Sequence, residues 1–145
     1  MSRDKITMEE LRLLAIFQDI TGAVAYRCIE DPETGKLYFL VNPSEIGKAV
    51  GRKGVNVKML SELFGRRVEI IPYSPEMSLE EFLSRLLMNA KIENIRMVEK
   101  DGEKRLIVKV REEDKGKAIG RGGRNIERAR RILRLMYGID KIIIR

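Results

Sequence analysis

Two short segments hold residue types that can act together on a ligand. Residues 47–54 read GKAVGRKG and residues 116–123 read GKAIGRGG, identical at six of eight positions at an offset of 69. Each ends in Gly-x-x-Gly: Gly51, Arg52, Lys53 and Gly54 in the first, Gly120, Arg121, Gly122 and Gly123 in the second. Glycine lets the main chain turn tightly and come within van der Waals reach of a ligand. Where such a turn opens into a helix, N–H groups of the first turn face outward and the helix dipole favours an anion there. The chemistry on offer is the holding of a phosphate.

A single Gly-x-x-Gly says little, because turn glycines commonly serve backbone geometry alone. Two copies say more. Both have arginine second, and both follow a Gly-Lys pair that contributes Lys48 and Lys117. Inherited turn geometry accounts for repeated glycines but does not require long cations at an exposed tip. Lys53 gives way to Gly122 in the second copy, which removes a charge and frees the backbone further. A nucleotide-binding P-loop needs Gly-x-x-x-x-Gly-Lys-Ser/Thr after a strand. Here Gly35-Lys36, Gly47-Lys48 and Gly116-Lys117 are followed by Leu or Ala, so no ATP or dinucleotide cofactor is expected.

The elements that must position these loops repeat as well. TMEEL at 7–11 pairs with SLEEF at 78–82, each a capping box with Glu three residues after Thr7 or Ser78, so each half opens with a helix. Strand-like segments follow at 23–30 and 91–99, then a turn, then strands at 37–41 and 105–110. Ser44 and Asp114 are the expected N-caps of a short helix ending at the first loop glycine. Longer helices are predicted over 55–64 and 124–137, stopping at Gly65 and Gly138, with closing strands at 67–71 and 141–145. The order is α-β-β-α-α-β, twice. The two prolines of PYSPEM (72–77) mark the junction, giving units 1–71 and 72–145.

Charge narrows the partner. The net charge is +7, but residues 1–71 hold 11 Lys+Arg against 10 Asp+Glu and residues 72–145 hold 18 against 12. Such an excess favours a polyanion. From Lys115 to Arg134 there are eight cations and one anion, Glu127, with Arg124, Arg128 and Arg131 at helical spacing. Arg124 lies nearest the loop and is the expected phosphate contact of that helix; the second loop is therefore expected to dominate affinity. Aromatics number only eight, and Tyr38 and Phe39 are adjacent in one strand, so base stacking on a sheet is poorly served. An aliphatic groove with Ile46, Val50, Val57 and Ile119 is the alternative.

Other chemistries fall away. One cysteine, Cys28, and no histidine leave no internal disulfide, no zinc site and no histidine base, so no enzyme and no metal are expected. No apolar run reaches the ~18 residues of a membrane span, and the N-terminus lacks a signal-peptide core. A cytoplasmic location without membrane association is expected.

The motifs GKAVGRKGVNVK and GKAIGRGGRNIE, each set in the order α-β-β-α-α-β, resemble type II KH domains. That resemblance implies an α+β fold with two tandem domains, each a three-stranded sheet packed on helices. It also implies that the Gly-x-x-Gly loop clamps the backbone of single-stranded RNA. The whole chain is similar to archaeal NusA-like transcription elongation and termination factors. On that resemblance RNA contacts are expected at Gly51, Arg52, Lys53 and Gly54 and at Gly120, Arg121, Gly122 and Gly123, with Lys48 and Lys117 as weaker ones. Single-stranded RNA is the expected partner and RNA polymerase a candidate second one, in regulation of elongation, termination or antitermination. Bacterial NusA carries a polymerase-binding domain and an S1 domain ahead of its KH pair. The residues before the first repeat here are too few to match them, so contacts made through those parts are not carried over. Two other readings stay open: a ribosomal or ribosome-assembly protein on the same domain, and a protein-interaction scaffold with idle loops.

Overall fold

The computed structural model describes residues 5–145. Its internal contacts divide the chain into two units, the first ending at Glu76 and the second running from Met77 to Arg145. The first contains α1 (Met8–Thr21), β1 (Ala25–Glu30), β2 (Leu37–Val41), α2 (Ile46–Val50), α3 (Val55–Phe64) and β3 (Val68–Pro72). The second contains α4 (Leu79–Leu86), β4 (Ile92–Lys100), β5 (Glu103–Val110), α5 (Lys115–Ile119), α6 (Arg124–Tyr137) and β6 (Lys141–Ile144). Each unit has its own three-stranded sheet, ordered β1-β2-β3 and β4-β5-β6.

In both sheets the first pair is antiparallel and the second parallel. The β4–β5 hairpin closes through Asp101 and Gly102, both at positive φ, the backbone that a two-residue turn needs to match strand twist. A parallel pair cannot be joined by a tight turn and requires a crossover. Between β2 and β3 that crossover is α2 and α3, and between β5 and β6 it is α5 and α6. This connection is what places each Gly-x-x-Gly loop at the joint of two helices.

Alternation along the central strands sets the cores. In the first unit Leu37, Phe39 and Val41 join Phe17, Ala49 and Leu60 in one buried cluster. Phe39 stacks on Phe17 with ring centroids 4.5 Å apart, and Phe64 lies beyond at 6.2 Å. In the second unit Leu106, Val108 and Val110 are buried while the residues between them are more open. Both Tyr38 and Phe39 are buried, so β2 presents neither ring to a base.

The helix starts depart from expectation in instructive ways. Thr7 and Ser78 accept the N–H groups of Glu10 and Glu81, each at 3.0 Å, as a capping box requires. The Glu10 carboxylate, however, turns inward and accepts from Arg27 Nε at 2.7 Å and from the Cys28 N–H at 2.9 Å. It ties α1 to β1 instead of closing the box. Burial and the Glu10 charge push the neighbouring Cys28 thiol up to about 12, which keeps it protonated and unreactive. Ser44 is not the cap of the first short helix. Glu45 holds that position without a side-chain cap bond, and Asn42 instead caps a 3₁₀ turn over Pro43–Glu45 that runs into α2, its side chain accepting the Ser44 N–H.

Asp114 does occupy the N-cap position of α5, but its carboxylate makes no cap bond. It accepts the Lys91 N–H at 2.9 Å and faces Arg111 and Lys117. The Lys91 bond, joined by the Arg111 and Lys117 cations, holds this carboxyl below the usual aspartate range against the opposing effect of burial. A depressed folded value means that the stabilisation is complete above about pH 4, the unfolded range, and is lost as pH falls through the folded value. Asp114→Asn should therefore melt below wild type at neutral pH, with the difference shrinking in acid. Thermal unfolding across pH 7 to 2 checks this, and a pH-independent difference would contradict it.

Candidate nucleic-acid interface

The two loops share one backbone. Gly51 has φ 80° and ψ 169°, Lys53 φ 56° and ψ 28°, and Gly54 φ 73° and ψ 19°. In the second copy Gly120 has φ 79° and ψ 169°, Gly122 φ 64° and ψ 20°, and Gly123 φ 77° and ψ 17°. Three of the four residues are thus at positive φ. The first sits in an extended, positive-φ region that is essentially confined to glycine, and the third and fourth are left-handed. Lys53 is the one non-glycine at these six positions; a left-handed L-residue costs roughly 1–2 kcal/mol. Gly122 removes that strain at the expense of a charge.

Each loop is also braced. The Gly54 N–H donates to the Gly51 carbonyl at 3.1 Å, and the Gly123 N–H donates to the Gly120 carbonyl at 3.0 Å. The Val55 and Arg124 N–H groups donate to the carbonyls of Arg52 and Arg121. The expectation that N–H groups at the start of the second helix face outward is therefore corrected for these residues, whose donors close a 3₁₀ turn. Across the joint, the Asn56 side-chain amide donates to the Lys48 carbonyl at 3.1 Å and that of Asn125 to the Lys117 carbonyl at 2.8 Å. A Cβ on Gly51 or Gly120 would stand 2.9 Å from these asparagine side chains.

The cations divide into two groups. Arg52, Lys53, Arg121 and Arg124 are exposed and form no ion pair or hydrogen bond through their side chains among the described residues. They stand at the loop tips or one residue beyond. Lys117 instead pairs with Asp114 at 3.5 Å. Lys48 runs back against the end of α1, with its Cε 3.2 Å from where a Cβ on Gly22 would lie. The basic helix is similarly reduced. Arg128 donates to the Leu86 carbonyl at 3.1 Å, Arg130 and Arg131 both pair with Glu127, and Lys115 pairs with Glu112 at 3.2 Å. Of the eight cations between Lys115 and Arg134, only Arg121, Arg124 and Arg134 have no side-chain partner among the described residues.

Counterparts in the first unit shift the balance. Lys58 is exposed without such a partner on α3, at the position where α6 carries Glu127. Of the candidate groove residues, Ile46 and Val57 pack on the first core. Val50 is half-buried and Ile119 exposed, one directly before each first loop glycine. Among the described residues no cluster of His, Cys, Asp or Glu could hold a metal, and no helix is long and apolar enough to cross a membrane.

Residues 79–143 match the family model described as the NusA-like second KH domain. The probable transcription termination protein NusA of Halococcus morrhuae is 32% identical over 140 residues, covering 95% of this chain and 97% of that one. The chain belongs to the NusA family. Within that family, the transcription termination/antitermination protein NusA of Borreliella burgdorferi is 36% identical over 132 residues, which are 87% of this chain but 27% of that protein. The crystal structure of APE1850 superposes with a TM-score of 0.80 at 46% identity, covering 97% of this chain and all of that one.

The loop geometry orders the glycines by cost. Gly120→Ala should lose about 2–3 kcal/mol, because it combines a glycine-only backbone with a clash against Asn125, whereas Gly122→Ala should lose about 1, for left-handed backbone alone. Chemical denaturation of the two variants checks this; equal losses would contradict the geometry.

Proposed function

We propose that the chain binds single-stranded RNA through both Gly-x-x-Gly loops and acts in transcription termination or antitermination. Its two units, divided between Glu76 and Met77 rather than at 71/72, are on this reading tandem type II KH domains, and its work in the cytoplasm is binding rather than catalysis. The observation that carries the reading is the repeated loop: one positive-φ backbone, built twice, with unpaired cations at its tip. Family membership supports RNA as the polyanion, because curated relatives bear the name of transcription termination proteins. RNA polymerase is a candidate second partner.

The RNA contacts we assign are Gly51, Arg52, Lys53 and Gly54 and Gly120, Arg121, Gly122, Gly123 and Arg124. Lys48 and Lys117 remain secondary, since each already lies against its own unit. The expected dominance of the second loop is revised. It rested on α6, and ion pairing leaves Arg121 and Arg124 near that loop, against Arg52, Lys53 and Lys58 in the first unit. Comparable contributions follow.

Each phosphate neutralised on a single strand contributes ~0.7 to the slope of log affinity against log salt. Arg52→Asp with Lys53→Asp, and Arg121→Asp with Gly122→Asp, should each weaken binding to single-stranded RNA at least tenfold. Each pair should also make the salt slope shallower. Fluorescence anisotropy over a salt series reads both quantities. Wild-type affinity and slope in both variants would sink the loop reading, while a loss confined to the second loop would restore its dominance.

A further inference from the structure

We infer that Asn56 and Asn125 are positioning residues, which set the loops for RNA by clamping the short helix to the long one. The inference rests on the RNA-binding reading above and deepens it.

Both asparagines occupy the second position of the helix after the loop, α3 or α6. From there each side chain reaches back eight residues to a carbonyl of the helix before the loop, at 3.1 Å in one unit and 2.8 Å in the other. The acceptors, Lys48 and Lys117, lie in the last turn of α2 and α5, where carbonyls lack a helical donor. The amide therefore caps one helix from the start of the next. Ordinary N-terminal capping would use the side-chain oxygen on a nearby N–H; here the nitrogen is engaged, and across the loop.

The consequence is geometric. With the Gly54→Gly51 and Gly123→Gly120 bonds, the amide is a second strut across a four-residue loop. Two struts fix the separation of the loop ends and so the direction in which the tip presents its backbone and cations. The clamp also explains the first glycine of the motif. A Cβ there would stand 2.9 Å from the asparagine Cγ and Nδ2 and 3.1 Å or 2.9 Å from its backbone nitrogen. Glycine at 51 and 120 and asparagine at 56 and 125 form one unit, repeated although two of the four residues between them, Lys53/Gly122 and Val55/Arg124, differ.

Neither bond lies in a core, so loss of the amide should leave the fold in place and loosen the loop. Binding then has to order the tip, and losing one neutral hydrogen bond of this frame is worth a factor of roughly 2–10 in affinity. The test uses the full chain with Asn56→Ala, Asn125→Ala and the double variant, and a labelled pool of randomised single-stranded RNA 20-mers. Arg52→Asp with Arg121→Asp serves as the control. Affinity is measured well below the melting temperature, and loop order is followed through the amide resonances of Gly54 and Gly123. Should the double variant fold poorly, the single variants carry the comparison.

Weaker binding by 2–10-fold per site, with shifted or broadened glycine resonances and an unchanged far-UV spectrum, is the expected result. A lowered melting temperature with wild-type RNA affinity would overturn the inference, since a merely structural hydrogen bond does not alter binding by a folded protein. If the arginine control weakens binding and the asparagine variants do not, only the clamp is wrong. If the arginine control also binds as wild type, the RNA reading of the loops falls with it.

Discussion

The feature on which the rest depends is a run of backbone that only glycine adopts comfortably. Three of four residues lie at positive φ between two helices, and the first glycine of each loop has no room for a Cβ. That constraint fixes the glycine spacing, leaves exposed positions for arginine and lysine at the tip, and requires a rigid frame on both sides. The frame is the crossover between two parallel strands. A parallel pair needs a long connection, and the connection here is a short helix, the loop and a long helix, anchored by alternating apolar residues of the central strand.

Charge alone gave a different picture from charge with geometry. In the sequence the second unit looks much the more basic, and α6 looks like an RNA-binding helix. In the structure most of that helix is engaged within its own unit, through Glu127 and the Leu86 carbonyl. Surface ion pairs of this kind contribute little to stability, commonly below about 1 kcal/mol. They nevertheless shorten the set of cations able to meet a phosphate without first giving up a partner. Next to the second loop they leave Arg121 and Arg124 without a side-chain partner among the described residues.

Much of the fold was legible because duplication let each half check the other. Element order, the loops and most boundaries could be read from periodicity, glycines and the aligned copies. The strands shifted only at their ends: β4 runs to Lys100, and β5 begins at Glu103, because the Asp101-Gly102 turn is tighter than the sequence suggested. Partners distant in sequence were not legible. Glu10 reads as a capping-box glutamate, yet its carboxylate serves Arg27 and Cys28; Asp114 reads as a cap, yet bonds Lys91, 23 residues away. Ser44 reads as a cap, yet Asn42 opens the 3₁₀ turn ahead of α2, since both are good capping residues and only the backbone decides between them. Asn56 and Asn125 match in the aligned copies, but their acceptors, the Lys48 and Lys117 carbonyls eight residues back, are set by how the two helices pack.

On the proposed function, both loops present their backbone to single-stranded RNA. An NMR titration of ¹⁵N-labelled protein with single-stranded RNA tests it most directly. The largest amide shifts are expected on residues 51–54 and 120–123, with both sets moving together at comparable RNA concentrations. Shifts confined to the strands, or to α6 beyond its first turn with both loops silent, would contradict it.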